Sequence, residues 1–357
     1  MDFATETGDA QGTATLMLHL LGRCNLQCLH CYMEGSPWRR EQLPVELVLR
    51  AIAECKQLGI GTVYLTGGEP LLYRGLDQVL SAVTQVSKLQ VTLCTNGTLI
   101  THRHATFFRE LGLRVSISID GDPVYHDQFR KLRGAFRSSE RGLRTMVEAG
   151  VAVTVVSTLS QANIQSLPFL IEWAATSGAV RLLVQPLLWL GRGVEIADQC
   201  LDTVQMNRVL LQLSDLANKY RTKGLECKVI GASRRFLLAH PCGAYVCNGS
   251  GCHRRVAKEI KKLVVREDGT VLPEVPNLNH RFALGNIRDG SLSLLVSRYF
   301  ENGYSEFDQL CRTAYAEVLP TWESVVVPWE QIVAQRSHQW IAQPERQISS
   351  AGCQACS

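Results

Sequence analysis

Three cysteines within eight residues, Cys24, Cys28 and Cys31, carry the most pointed chemistry in this chain. They form a C-x3-C-x2-C array directly after an apolar run. Thiolates this close can converge on one soft metal centre. Three ligands leave one iron of a four-iron cluster open to an outside molecule. A structural zinc ion wants four protein ligands, and His30 is the available fourth. The spacing alone leaves both centres open. A second array, Cys242-x4-Cys247-x4-Cys252, lies beside Gly243, Gly249 and Gly251 and could hold a further cluster. Its fourth ligand would be Cys311, one of the pair Cys353 and Cys356, Glu274 or a substrate group, with His253 a further candidate. The terminal pair could equally be a redox pair or a disordered tail. Cys55, Cys94, Cys200 and Cys227 fall in helical or strand patterns and are expected to pack as small hydrophobes.

The elements that must position these residues are legible in the apolar pattern. Residues 15–21 read as a strand, and the first cysteine array follows it at once. Strands are then expected at 62–66, 90–94, 115–119, 151–157 and 180–185, separated by helices at 45–58, 76–86, 105–111, 139–149 and 164–177. Strands alternating with helices of this length imply parallel βαβ units, about six here. The regularity stops near Gly191-Arg192-Gly193. A helix is expected at 203–220, and from His240 the composition turns to cysteines, glycines and short strands. The expected organisation is a tail at 1–14, a barrel core at 15–200, a helical linker at 201–240 and a smaller C-terminal domain at 241–357.

Composition narrows the function classes. The chain has 357 residues, 46% of them hydrophobic, which excludes wholesale disorder. A net charge of +4 leaves no strong nucleic-acid or membrane footprint. No run approaches the roughly 18 apolar residues of a membrane span. Residues 1–14 carry Asp2, Glu6 and Asp9 and lack the apolar stretch of a signal peptide. The expected location is cytoplasmic. There, 13 cysteines point to metal or redox chemistry rather than disulfides.

The cysteine array, Tyr32 behind it, and Thr66-Gly67-Gly68-Glu69-Pro70 closing the next strand together resemble the radical S-adenosylmethionine (SAM) superfamily. The resemblance covers residues 15 to about 195. It implies a partial (β/α)6 TIM-like barrel. It also implies that Cys24, Cys28 and Cys31 hold a [4Fe–4S] cluster whose fourth iron chelates SAM. Tyr32 would lie beside the adenine, and Gly67, Gly68, Glu69 and Pro70 would meet the SAM amino group. Thr95-Asn96-Gly97 matches the family's turn after the third strand, and Ser118 and Asp120 are candidates for SAM polar groups. For Asp120 a plain turn role stands equally. The implied chemistry is reductive cleavage of SAM and hydrogen abstraction by a 5′-deoxyadenosyl radical, with one electron from a flavodoxin- or ferredoxin-type donor.

His126-Asp127-x-x-Arg130 and Gly134-Ala135-Phe136 resemble the branch of peptide-modifying enzymes with a SPASM or twitch C-terminal domain, as do Gln185-Pro186 and Gly191-Arg192-Gly193. Arg130 would pair with a carboxylate of SAM or substrate, or form a surface salt bridge; Gln185 would line the same site. The segment from Val265 through Asp268-Gly269 to Pro273, and Leu284-Gly285-Asn286-Ile287, fit that branch's frame. Glu274, however, stands where the frame has a cysteine, and the downstream cysteine series is absent. The implied substrate is a ribosomally made precursor peptide, crosslinked, epimerised or oxidised. Only about a dozen residues precede the first strand, so leader recognition is expected from the C-terminal region or a separate binding protein. The rival within the family is a sugar- or aminoglycoside-type dehydrogenase or epimerase. The rival outside it is a zinc-stabilised binding module.

Overall fold

The structure is a computed structural model that describes residues 5–6, 14–86, 88–220, 224–239, 241, 244–245 and 260–341. A two-residue strand, β1 (Thr5–Glu6), precedes the main run. The strands β2 (Ala14–His19), β3 (Ile60–Thr66), β4 (Gln90–Thr95), β5 (Arg114–Ser118), β6 (Val153–Leu159) and β7 (Arg181–Pro186) then lie side by side in chain order, all parallel. Between them run α1 (Val45–Glu54), α2 (Leu76–Val83), α3 (His102–Glu110), α4 (Pro123–Phe129), α5 (Ala135–Glu148) and α6 (Leu167–Thr176). Six strands joined through helices make the partial (β/α)6 barrel that the sequence implied.

Local chemistry explains the elements. The β5 residues Val115 and Ile117 are fully buried, while Ser116, Ser118 and then Asp120 take the alternate face, the period of two that a strand imposes. In α1 the buried residues Val48, Ala51 and Ile52 recur at helical spacing. The short α4 begins on Asp122, whose carboxylate accepts from Val124 N and Tyr125 N, with Pro123 pre-set for the first turn.

The sheet extends past both expected edges. After α7 (Thr203–Tyr220), β8 (Glu226–Ile230) adds parallel to β7 and carries β1 on its far side. The stretch 201–240 is therefore not a helical linker: it also holds β9 (Ala232–Ser233) and α8 (Arg234–Ala239). Residues 1–14 likewise contribute β1 and the first residue of β2. On the opposite side, β10 (Lys262–Val265) pairs parallel with β2, matching Val265 to Leu18. A hairpin turned on Asp268-Gly269, with Gly269 at φ +91°, leads to β11 (Thr270–Pro273), and β12 (Gly285–Asn286) completes an 11-stranded sheet. The chain ends, among the described residues, with α9 (Leu292–Asn302), α10 (Tyr304–Val318), β13 (Val326–Val327), which pairs with β9, and α11 (Trp329–His338). No described helix is long and apolar enough to cross a membrane.

One apolar core runs through the barrel and into the C-terminal elements, from Leu16 and Leu18 to Val264, Leu295 and Leu310. Leu18 sits fully buried between β3 and β10. Leu18→Ala should cost about 2–5 kcal/mol. The check is the urea midpoint of the whole transition.

Candidate cluster and cofactor site

Because β2 to β7 are parallel, their following loops gather at one edge, where βα loops carry functional groups. The cysteine loop leaves β2 there. Two features press it into place. Gly68 lies so close to the chain at Arg23 that a Cβ would sit 2.1 Å from the Arg23 carbonyl oxygen, and a Cβ on Gly67 would sit 2.6 Å from that of Leu21. Gly68 N and Glu69 N donate to those same two carbonyls. The two glycines thus lie directly against the cysteine loop. Opposite them, Arg192 clasps the loop: its Nε donates to Cys28 O at 2.8 Å, its Nη2 to Gly35 O at 2.9 Å, and its backbone N to Cys31 O at 3.1 Å.

Cys24 and Cys28 are buried and Cys31 is half-buried. Each sulfur faces a donor. Leu26 N lies 3.4 Å and Asn96 Nδ2 3.9 Å from Cys24 Sγ, Arg130 Nη1 lies 3.8 Å from Cys28 Sγ, and Gly35 N lies 3.3 Å from Cys31 Sγ. Burial pushes the Cys24 thiol up to about 12 and the Cys28 thiol up to about 11. Thiols so shielded ionise when a metal takes the proton's place. His30 stacks on Phe129 with ring centroids 4.2 Å apart, its Nδ1 buried without a partner. Among the described residues no group of three or more His, Cys, Asp or Glu side chains gathers to hold a single ion. The donor set fits a three-thiolate iron–sulfur cluster.

The residues expected around SAM are mostly committed to the protein. Glu69 is fully buried; Oε1 accepts from Leu71 N and Thr95 Oγ1, and Oε2 from Asn96 N. Burial raises its pKa despite these donors. It ties the end of β3 to the end of β4 and keeps one acceptor site of four for a ligand. Asn96 bridges Asn25, Thr98 and Cys24.

Asp120 is paired within the protein. Its Oδ2 accepts from Arg130 Nε at 2.7 Å and its Oδ1 from Thr158 N at 3.0 Å. Burial alone would raise its pKa, but the Arg130 guanidinium and nearby His30 and His126 hold it at about 2. The surface salt bridge considered for Arg130 is corrected: the pair is buried and abuts Cys28. His126 accepts from Asp120 N through Nδ1, and burial lowers its pKa to about 4. Ser118 and Gln185 close β5 and β7, half-buried at the same edge. Tyr32 points its hydroxyl at His19 Nε2, 3.4 Å away.

Cys242, Cys247, Cys252, Cys353 and Cys356 lie outside the described residues. Cys311 is buried on α10, where burial and the Glu274 carboxylate push its thiol well up, so two of the named fourth-ligand candidates face one another electrostatically. Sequence reasoning missed Arg192, Asn25, His19 and Glu267 as site residues. Only Gly191-Arg192-Gly193 left a signal, as a fragment of the family pattern.

Residues 18–167 match the model for the Radical SAM superfamily. Residues 18–167 of this chain thus form a radical SAM domain. The chain is similar to AdoMet-dependent heme synthase of Nitratidesulfovibrio vulgaris, 31% identical over 52% of this chain and 52% of that protein. It is similar too to the sporulation killing factor maturation protein SkfB of Bacillus subtilis, 28% identical over 57% of this chain and 49% of that protein. Fe-coproporphyrin III synthase of Methanosarcina barkeri is 28% identical over 58% of this chain and 52% of its own length. The chain thus spans about half the length of the curated relatives it matches.

Its radical SAM fold resembles Streptococcus suis SuiB bound to precursor peptide SuiA, with a TM-score of 0.66 at 17% identity over 82% of this chain and 66% of that one. It also resembles anSMEcpe with bound AdoMet, with a TM-score of 0.63 at 18% identity over 91% and 96%. The family's cofactors are a [4Fe–4S] cluster and SAM.

The buried pair gives a testable consequence. With its pKa held below the ordinary 3.8, Asp120 stabilises the fold above that value and loses the effect as pH falls through about 2. Asp120→Asn should cost about 3–5 kcal/mol at pH 7 by stranding Arg130. The gap to the unaltered protein should narrow between pH 4 and 2. Urea unfolding across that range checks both.

Proposed function

We propose that the protein cleaves SAM reductively at Cys24, Cys28 and Cys31 and uses the resulting radical to modify a ribosomally made peptide. The observation that carries the first half is the loop itself: two buried thiols and a half-buried third, with a donor at each sulfur, at the edge where the βα loops meet. Cys24, Cys28 and Cys31 would hold a [4Fe–4S] cluster, and that group would supply the single electron for cleaving SAM to methionine and a 5′-deoxyadenosyl radical. The chain's residues supply position and shielding. Arg192 and Gly68 fix the loop, Asn96 and Arg130 donate to sulfur, which tunes the ease of reduction, and Tyr32, Ser118 and Gln185 remain at the edge to meet the cofactor. Asp120 acts through Arg130, and Glu69 offers its last acceptor site to an amine. The buried sheet around the site excludes water, which protects a radical from quenching.

Support for a peptide substrate comes from the branch motifs around His126 and Phe136 and from the relative named for maturation of a killing factor. A separate electron donor and a leader-binding protein belong to this reading, as does an auxiliary cluster drawn from Cys242, Cys247 and Cys252 with Cys311 or Glu274. In this reading the barrel domain and a SPASM- or twitch-like C-terminal domain share the sheet edge at β10. A small-molecule substrate is the second reading. What favours it is that relatives at 28% and 31% identity are named Fe-coproporphyrin III synthase and AdoMet-dependent heme synthase.

Anaerobic purification should give a brown protein holding iron and sulfide that forms 5′-deoxyadenosine from SAM under dithionite. Cys28→Ala should reduce that product by a factor of at least ~10³, the scale of losing a group that acts as a unit with its partners. Retained cleavage would remove the site assignment, and a colourless zinc protein would remove the radical chemistry. Faster 5′-deoxyadenosine formation with a precursor peptide, and none with Fe-coproporphyrin III, supports the peptide reading over the second.

A further inference from the structure

Tyr32 and Met33, the two residues after the third cysteine, are held at three points, two of them from outside their loop. Asn277, beyond β11, donates from Nδ2 to the Tyr32 carbonyl at 3.0 Å. His19, the last residue of β2, lies 3.4 Å through Nε2 from the Tyr32 hydroxyl, with the two rings tilted at 56°. Arg39 donates from Nη1 to the Met33 carbonyl at 3.2 Å and from Nη2 to Glu267 Oε1 at 2.7 Å. The second Glu267 oxygen faces His19 Nδ1 at 3.9 Å, an ion-pair distance. His19 and Glu267 are 2% and 1% exposed.

The arrangement looks built rather than incidental. A carboxylate and an imidazole are costly to bury unless each serves a partner. Burial first, then Arg266 and Lys262, lower the His19 pKa to about 3, so the ring is neutral. The carboxylate favours the tautomer with its proton on Nδ1, facing Glu267, which leaves Nε2 to accept from the Tyr32 hydroxyl. His19 Nδ1 and Glu267 Oε2 have no hydrogen bond among the described residues. At 3.9 Å they stand beyond direct hydrogen-bond reach.

We propose that His19 and Glu267 are positioning residues that fix Tyr32, and through it the SAM side of the cluster loop, to the C-terminal strand β10. The inference rests on the SAM-cleaving reading above. It makes SAM affinity, rather than cluster assembly, depend in part on residues near the far end of the chain: Glu267, and Asn277, which is 245 positions from Tyr32. Anything that shifts β10 and the loops after it, a substrate included, would then alter how SAM is held.

The experiment uses the full chain, reconstituted anaerobically, as unaltered protein and as Glu267→Gln, His19→Ala and His19→Gln. Iron and sulfide content and thermal melting are measured first. SAM is then titrated while following the change it produces in the electron paramagnetic resonance of the reduced cluster, and KM and kcat for 5′-deoxyadenosine formation are determined. The expected result is normal iron content in Glu267→Gln, KM for SAM raised roughly 10-fold, the usual scale for removing an outer-shell partner, and kcat at saturating SAM changed much less. His19→Ala should match it, and His19→Gln, whose amide can still reach Tyr32, should recover part of the affinity. If His19→Ala fails to fold, Glu267→Gln alone decides. Unchanged SAM affinity in Glu267→Gln overturns the proposal while leaving the SAM-cleaving reading in place, as does loss of iron in place of affinity. An unaltered protein that binds iron and sulfide but never cleaves SAM overturns both.

Discussion

A pair of buried thiols is the constraint on which the rest of this structure depends. Cys24 and Cys28 sit where burial holds their thiols far above neutral pH, at about 12 and 11. Such groups serve as anionic ligands only if the surrounding protein is arranged to receive the charge. The arrangement is visible at each sulfur: backbone amides from Leu26 and Gly35, a side-chain amide from Asn96, and the guanidinium of Arg130. Arg130 is itself affordable in the interior because Asp120 neutralises it. Asp120 in turn is locked by Thr158 N and linked through its own amide to His126. One electrostatic demand therefore organises the ends of β4, β5 and β6.

The same demand explains why carboxylates that look free in the sequence are not. Glu69 and Asp120 stand at strand ends, where a family pattern suggests ligand contacts. In the fold they knit neighbouring strand ends together, and their remaining capacity toward a ligand is small. Ser118 and Gln185 are less engaged at the same edge, and Tyr32 is held there through its hydroxyl and carbonyl. SAM recognition on this account falls to a few half-buried groups and to backbone, on a rim whose shape the buried ion pair and the glycines maintain.

Much of this was legible in the chain. The cysteine spacing, the Gly67-Gly68 segment and the alternation of β5 with its flanking helices fix local features that depend on near neighbours, and the six strands fall within a few residues of where the pattern puts them. What was not legible depends on distant partners. Nothing in Lys262–Val265 announces that it will pair with β2, because a short apolar run looks the same at any sheet edge. The 201–240 region read as a helical linker because β8 mixes Glu226, Cys227 and Lys228 with Val229 and Ile230, which blurs its alternation. Arg192, His19 and Glu267 gain their roles only when segments from both ends of the chain meet at one loop.

The central claim is that Cys24, Cys28 and Cys31 bind three irons of a cubane and leave the fourth for SAM. Mössbauer spectroscopy of the 57Fe-reconstituted protein, with and without SAM, tests it most directly. The account predicts four irons per chain bound at this loop, of which one alone changes its isomer shift when SAM is added, with the signal absent in Cys28→Ala. Spectra in which no iron responds to SAM, or a protein that takes up zinc and no iron, would contradict it.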